Sequence, residues 1–168
     1  MADTLRHRGP DDDGVWVDAH AGVALGFRRL AILDLSDAGA QPMVSESGRY
    51  VIVFNGEIYN YRRLAAELGP RSYRGTSDTE VMLACIETWG LQGAIEKFIG
   101  MFAFAVWDRE TRTLSLVRDR IGIKPLHYSL TPHGVSFASE LRALDARDID
   151  RDALALYARY GYVPAPYS

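Results

Sequence analysis

The run Phe54-Asn55-Gly56-Glu57-Ile58-Tyr59-Asn60-Tyr61 carries the strongest chemical signal in this sequence. An apolar stretch from Tyr50 to Phe54 leads into Asn-Gly and then into an amphipathic segment, which predicts a strand joined to a helix through Asn55 and Gly56. At such a strand end a side-chain amide and a backbone N–H lie side by side, and two donors so placed can hold an oxyanion. Glycine at the second position lets a substrate approach the backbone closely. The plainer reading of the same dipeptide is a turn in which Asn55 caps the helix.

Other chemistry-bearing residues divide into those with a job and those without. Ser77 with Glu80 three residues later fits a capping box, which would fix the intervening Asp78 rigidly at a helix start. Arg28 and Arg29 read most simply as solvated charges at a strand end. Asp11-Asp12-Asp13 before Gly14 lacks the spaced acids and terminal glutamate of a calcium loop, so a polar turn is expected and no metal site is assigned. Cys85 shares the apolar side of a helix with Val81 and Trp89, a place where thiols are inert.

These residues need elements to position them. Gly14 to Val17, Ala21 to Phe27, Leu30 to Leu33 and Tyr50 to Phe54 are short apolar runs bounded by turn residues, and they read as strands. Tyr61, Leu64, Ala65 and Leu68 recur at helical spacing, as do Val81, Met82, Cys85, Ile86 and Trp89, and a short helical piece follows near residues 92–98. Met101 to Trp107, apolar on both faces, reads as a central core strand; Thr113 to Val117, Leu126 to Leu130 and Val135 to Ala138 follow it. A last helix from Asp152 to Tyr160, capped at Asp150, runs into Gly161 and the prolines Pro164 and Pro166. The fold class expected is α+β.

Composition bounds the rest. A chain of 168 residues with 48% hydrophobic and 24% charged residues should bury about 70% of its unfolded surface, enough for one core. Its 22 acids and 19 bases give a net charge of −3 with no basic stripe, which argues against nucleic acid. No apolar run approaches the length of a membrane span and no leader is visible, so a cytoplasmic location without membrane contact is expected. A single cysteine agrees with a reducing compartment.

Around the Asn55-Gly56 run stand Arg6-His7-Arg8-Gly9-Pro10-Asp11, Arg29-Leu30-Ala31-Ile32-Leu33-Asp34, Ser77-Asp78-Thr79-Glu80-Val81, Gly100-Met101-Phe102-Ala103-Phe104 and Arg118-Asp119-Arg120-Ile121-Gly122-Ile123-Lys124-Pro125-Leu126. In that order and spacing they resemble the glutamine-hydrolysing half of asparagine synthetase, a class II amidotransferase domain, over nearly the whole chain. Gly39-Ala40-Gln41-Pro42-Met43 resembles the same branch, with His127 departing from its usual tyrosine. The resemblance implies the four-layer αββα sandwich of N-terminal-nucleophile hydrolases, with residues 1–148 as the amidotransferase domain and 149–168 as the start of a connection to a synthetase domain. It implies that Asn55 and Gly56 form the oxyanion hole. Arg29 then grips the α-carboxylate of L-glutamine through a two-pronged guanidinium. Asp78 and Glu57 meet the α-amino group, and Leu30, Ala31, Ile32 and Leu33 line the pocket. It implies no cofactor here, with ATP and magnesium belonging to the synthetase domain that is the expected partner.

Relatives act through an N-terminal cysteine whose own α-amino group is the base, so His7 is not assigned that role and its cluster is expected to hold a turn and nearby carboxylates. This sequence begins Met1-Ala2-Asp3, and Met1 to Leu5 read as the last turns of a helix that follows the nucleophile strand. The expectation is a domain lacking its first strand, inactive alone, with an unpaired edge at Ala21 to Phe27 or Met101 to Trp107 and a tendency to self-associate or to form a homodimer. Two other readings stand beside it: a non-catalytic glutamine-binding module, and an amidotransferase serving a different acceptor. Sequencing the gene upstream of Met1 separates them, an in-frame Met-Cys-Gly-type start being expected for the enzyme and none for the module.

Overall fold

A computed structural model of the chain describes residues 1–30, 36–144, 149–165 and 167. Ala31, Ile32, Leu33 and Asp34, four of the residues singled out above, lie outside them. After a 3-10 turn at Ala2–Leu5 come β1 (Asp12–Asp18), β2 (Val23–Arg29), β3 (Met43–Val44), β4 (Tyr50–Ile58), α1 (Tyr61–Leu68), α2 (Asp78–Lys97), β5 (Gly100–Asp108), β6 (Thr113–Arg118), β7 (His127–Thr131), β8 (Gly134–Ala138) and α3 (Arg151–Tyr160). The class is α+β. The strands form an antiparallel sheet in the order β3-β4-β5-β6 and two hairpins, β1-β2 and β7-β8.

The central sheet is apolar on both faces because β4 and β5 each carry continuous apolar runs rather than alternation. Ile52, Phe54, Ile58, Phe102, Phe104 and Val106 point to one face, where they pack against Leu64 of α1 and Val81, Met82, Cys85 and Ile86 of α2. Val51, Val53, Ala105 and Trp107 point to the other, against Trp16, Val23, Leu25 and Phe27 of the first hairpin and Phe137 of the second. Helices thus cover one side and hairpins the other. Each fully buried large side chain here contributes about 2 kcal/mol of transfer free energy.

Several local expectations need correction. The segment before Tyr61 is not a strand end at Asn-Gly: β4 runs on through Asn55, Gly56 and Glu57, paired with Ala103, Phe102 and Met101 of β5. Cross-strand pairing overrides the turn signal of the dipeptide. Asp12 and Asp13 belong to β1 rather than to a turn, with Asp13 taking Arg28 Nη1 at 3.1 Å. Instead of the end of an α-helix, Ala2–Leu5 form a 3-10 turn, and Leu30 has no regular structure. The expected open edge cannot be Met101 to Trp107, since β5 has β4 on one side and β6 on the other; among the described strands β2 pairs with β1 alone.

Polar side chains tie the layers together. Asn60 links the start of α1 to the α2–β5 connection, its Nδ2 donating to Lys97 O at 2.9 Å and its Oδ1 accepting from Ile99 N–H at 3.0 Å. Positive φ at Gly90 divides α2 into the two helical pieces expected, 71° there against helical values around it. Asp119, buried, accepts from the N–H groups of Ile123 at 2.9 Å, Lys124 at 3.0 Å and Phe102 at 3.2 Å. Burial alone would raise its pKa, but the N–H groups of Lys124, Ile123, Phe102 and Gly122 outweigh that and hold it at about 2. Asp119→Ala leaves those donors without an acceptor and should cost about 3 kcal/mol in denaturant unfolding. Because the folded pKa is depressed, that contribution is full above the ordinary carboxylate range and fades as pH falls through about 2.

Candidate active site

Residues of β4 alternate the edge to which their N–H and C=O point. Ser45 N–H donates to Tyr50 O at 2.9 Å on the β3 side, while Arg109 N–H donates to Arg49 O and Tyr59 N–H to Ile99 O on the β5 side. Even-numbered residues of β4 therefore face β3 and odd-numbered ones face β5. Yet β3 is two residues long and reaches only to Met43, opposite Ile52. Beyond it, the N–H groups of Phe54, Gly56 and Ile58 point to an edge that β3 does not cover.

Two of those three donors are taken by side chains. Gln41 Oε1 accepts from Phe54 N–H at 2.6 Å, and Asp78 Oδ2 accepts from Ile58 N–H at 2.8 Å. Between them the Gly56 N–H faces a cavity of about 750 Å³ that Gln41, Gly56 and Asp78 all line. Glycine is required at this position for a reason other than substrate approach. A Cβ there would lie 2.1 Å from Met101 O and 2.7 Å from Phe102 Cα, with φ at +155°, so the β5 backbone itself excludes a side chain.

Asp78 is the first residue of α2 and is 4% exposed. The helix start is held by half of the expected capping box. Ser77 Oγ accepts from Thr79 N–H at 3.1 Å, but Glu80 turns to the preceding loop, accepting from Arg74 N–H at 2.8 Å and Gly75 N–H at 3.1 Å. Burial pushes the Asp78 pKa up, hydrogen bonds from Ile58 and Thr79 oppose it, and the nearby Glu57 charge adds to the rise. Glu57 lines the same cavity. Two carboxylates facing one space, one of them desolvated, make a place where an ammonium would be favoured.

Arg29 and Leu30 approach from the end of β2. Neither arginine is a solvated strand-end charge: Arg29 is 8% exposed with Nη1 donating to Ser36 O at 3.0 Å, and Arg28 is held by Asp13 and Asp3. Gly9 shows why the segment after His7 and Arg8 has no side chain at that point, since its Cβ would sit 2.4 Å from the Arg28 carbonyl. The chain passes directly over the backbone that presents Arg29. His7 and Arg8 themselves bind Glu140, at 3.0 and 3.1 Å, and together with Arg142 hold that carboxyl down at about 2. Arg8 is part of the cavity lining, and His7 is not.

Arg29, Leu30, Asn55, Gly56, Glu57 and Asp78 thus line one cavity. Gln41 joins them, a residue that sequence reasoning used only as a branch marker. Its part depends on where β3 stops, which no local pattern reveals.

A glutamine amidotransferase domain matches residues 1–168 of this chain. The chain belongs to that family. It is 46% identical over 144 residues to asparagine synthetase [glutamine-hydrolyzing] 2 of Bacillus subtilis, covering 86% of this chain and 19% of that protein. Putative asparagine synthetase [glutamine-hydrolyzing] 2 of Methanocaldococcus jannaschii is 37% identical over 191 residues, 100% of this chain and 37% of that protein. Amidase chry2 of Gibberella zeae is 39% identical over 142 residues, 84% of this chain and 21% of that protein. The chain spans between about a fifth and somewhat over a third of these relatives' lengths.

Within this amidotransferase domain Cys85 is fully buried in the helix-side core, and burial pushes its thiol up to about 12. No helix among the described residues is long and apolar enough to cross a membrane. The Asp78 environment carries a pH signature. Its folded pKa is raised, so its favourable contribution is present below the ordinary carboxylate range and is lost as pH rises through the raised value. Thermal melting of the wild type should fall across that window relative to Asp78→Asn, and parallel melting curves of the two proteins would contradict the assignment.

Proposed function

We propose that this domain binds L-glutamine in the cavity and serves as the glutaminase part of an asparagine synthetase. One observation carries the reading: a guanidinium, two carboxylates and an outward-facing N–H beside an asparagine line the same space. Arg29 takes the α-carboxylate, for which a planar fork of donors is suited. Asp78 and Glu57 take the α-ammonium, whose charge relieves the cost of keeping Asp78 ionised in a buried place. Leu30 forms part of the wall. The side-chain amide then reaches the Asn55 and Gly56 donors.

Chemistry follows from that placement. A thiolate adds to the amide carbon, and the carbonyl oxygen becomes an oxyanion held by the Asn55 side chain and the Gly56 N–H. The nitrogen takes a proton and leaves as ammonia, and water opens the thioester to give glutamate. Cys85, sealed in the core, does not supply the thiol, so the reading assigns the nucleophile to a residue outside these 168. The same reading completes the fold. β2 and β8 both line the cavity above the hairpin face of the central sheet, and a further strand between them would join the two hairpins into the second sheet of an αββα sandwich.

In the full protein, cytoplasmic on this reading, ammonia would pass to a synthetase domain that uses ATP and magnesium to amidate aspartate. Among the described residues no three His, Cys, Asp or Glu side chains are grouped to hold a metal ion, and no step of the reading runs through either group. One other reading keeps the same glutaminase and changes the acceptor; not every similar protein carries the synthetase name, one being called an amidase.

The 168-residue chain should bind L-glutamine in calorimetry, and Arg29→Lys should weaken that binding at least about tenfold by losing the two-pronged contact. Glutamate should not form. Enzymatic release of glutamate by this chain, or L-glutamine binding indifferent to Arg29, would overturn the proposal.

A further inference from the structure

The geometry points to Gln41 as a positioning residue that aims the Gly56 N–H, an inference that rests on the reading of Asn55 and Gly56 as the oxyanion site. Gln41 stands two residues before β3 and folds its side chain under the edge of β4 that β3 leaves uncovered. Its Oε1 accepts from Phe54 N–H at 2.6 Å, the N–H immediately before Asn55 and on the same edge as that of Gly56. Its Nε2 reaches Thr79 Oγ1 at 3.4 Å, and Thr79 N–H in turn donates to Ser77 Oγ at 3.1 Å at the start of α2. A single amide therefore joins the strand that offers the oxyanion donors to the helix that offers Asp78.

Gln41 is itself anchored. A Cβ on Gly14 would lie 2.0 Å from Gln41 O, so β1 presses directly on the backbone from which this side chain extends. Held at both ends, the amide acts as a strut in place of the missing length of β3. Oxyanion donors act through their direction as much as their presence, and a small error in aim removes much of their effect. Gln41 touches neither reacting atom in this arrangement; it sets the backbone that does.

Gln41→Met keeps the length and removes the acceptor, whereas Gln41→Glu keeps an oxygen for Phe54 N–H and can accept from the Thr79 hydroxyl. In the 15N-labelled 168-residue chain, Gln41→Met should speed amide exchange at Phe54 at least about tenfold and weaken L-glutamine binding by about the same factor. It should also displace the Gly56 amide resonance before any ligand is added. Gln41→Glu should bind within about threefold of wild type, a difference too small for a lost hydrogen bond. Arg29→Lys should weaken binding without changing Phe54 exchange.

A Gln41→Met chain with the wild-type Gly56 resonance and wild-type affinity overturns the role of Gln41 while leaving the pocket intact. Equal loss of binding in the Met and Glu variants, with equal loss of melting temperature, reduces Gln41 to a structural part and also overturns it. If the wild type itself does not respond to L-glutamine, the oxyanion reading and the role fall together. Should Gln41→Met fail to fold, Thr79→Val releases the other end of the amide; a Gly56 resonance that does not move in that variant overturns the strut.

Discussion

The constraint on which the site depends is that β4 is longer than its neighbour β3. A strand edge without a partner must satisfy its N–H groups by other means or leave them to solvent or ligand. Here Gln41 takes the one at Phe54 and Asp78 the one at Ile58. The two side chains that terminate the edge also bracket the position between them. Both come from elements outside the sheet, the β3 approach and the start of α2, so the geometry of Gly56 is fixed by three separate parts of the chain.

The opposite edge of the same strand is fixed just as firmly. Gly56 lies against Phe102 of β5, and the Phe102 N–H ends on Asp119, which also gathers the N–H groups of Ile123 and Lys124. Arg118 closes that loop from the other side, donating to Lys124 O at 2.6 Å and Gly122 O at 2.7 Å. Arg120 reaches Phe98 O at 3.3 Å at the end of α2, where a cation is favoured by the exposed carbonyls. The segment from Arg118 to Leu126 is therefore a hydrogen-bonded frame, and Lys124 and Leu126 form part of the cavity wall. Its charged residues act chiefly on backbone groups rather than on one another.

Much of this was legible in the sequence because apolar periodicity is a local property. The strands 100–108, 113–118, 127–131 and 134–138, the two helices after β4, the break at Gly90 and the cap at Asp150 all follow from residue spacing and turn chemistry. Asn55 and Gly56 stand out in the sequence as neighbouring donors, but the strand end expected there is a continuing strand. Their strand continues because β5 offers partners as far as Gly100, information that sits more than forty residues away. The burial of Arg29 and the ion pairs of Arg28 were hidden for a similar reason: they depend on an acid in β1 and on the chain crossing at Gly9. Gln41 gave no local sign of its task, since that task exists only where another strand ends.

Cys85 has a practical bearing on how such a protein can be studied. The sole sulfhydryl of the chain lies on the buried side of α2, sealed in the core that α2 shares with α1 and the central sheet, and its proton is held far above neutral pH. Alkylating dyes and maleimide probes, which need an accessible thiolate, will find nothing to react with in the folded state. A cysteine engineered at any exposed position would then be a unique chemical handle, and background labelling would itself report that the core has opened.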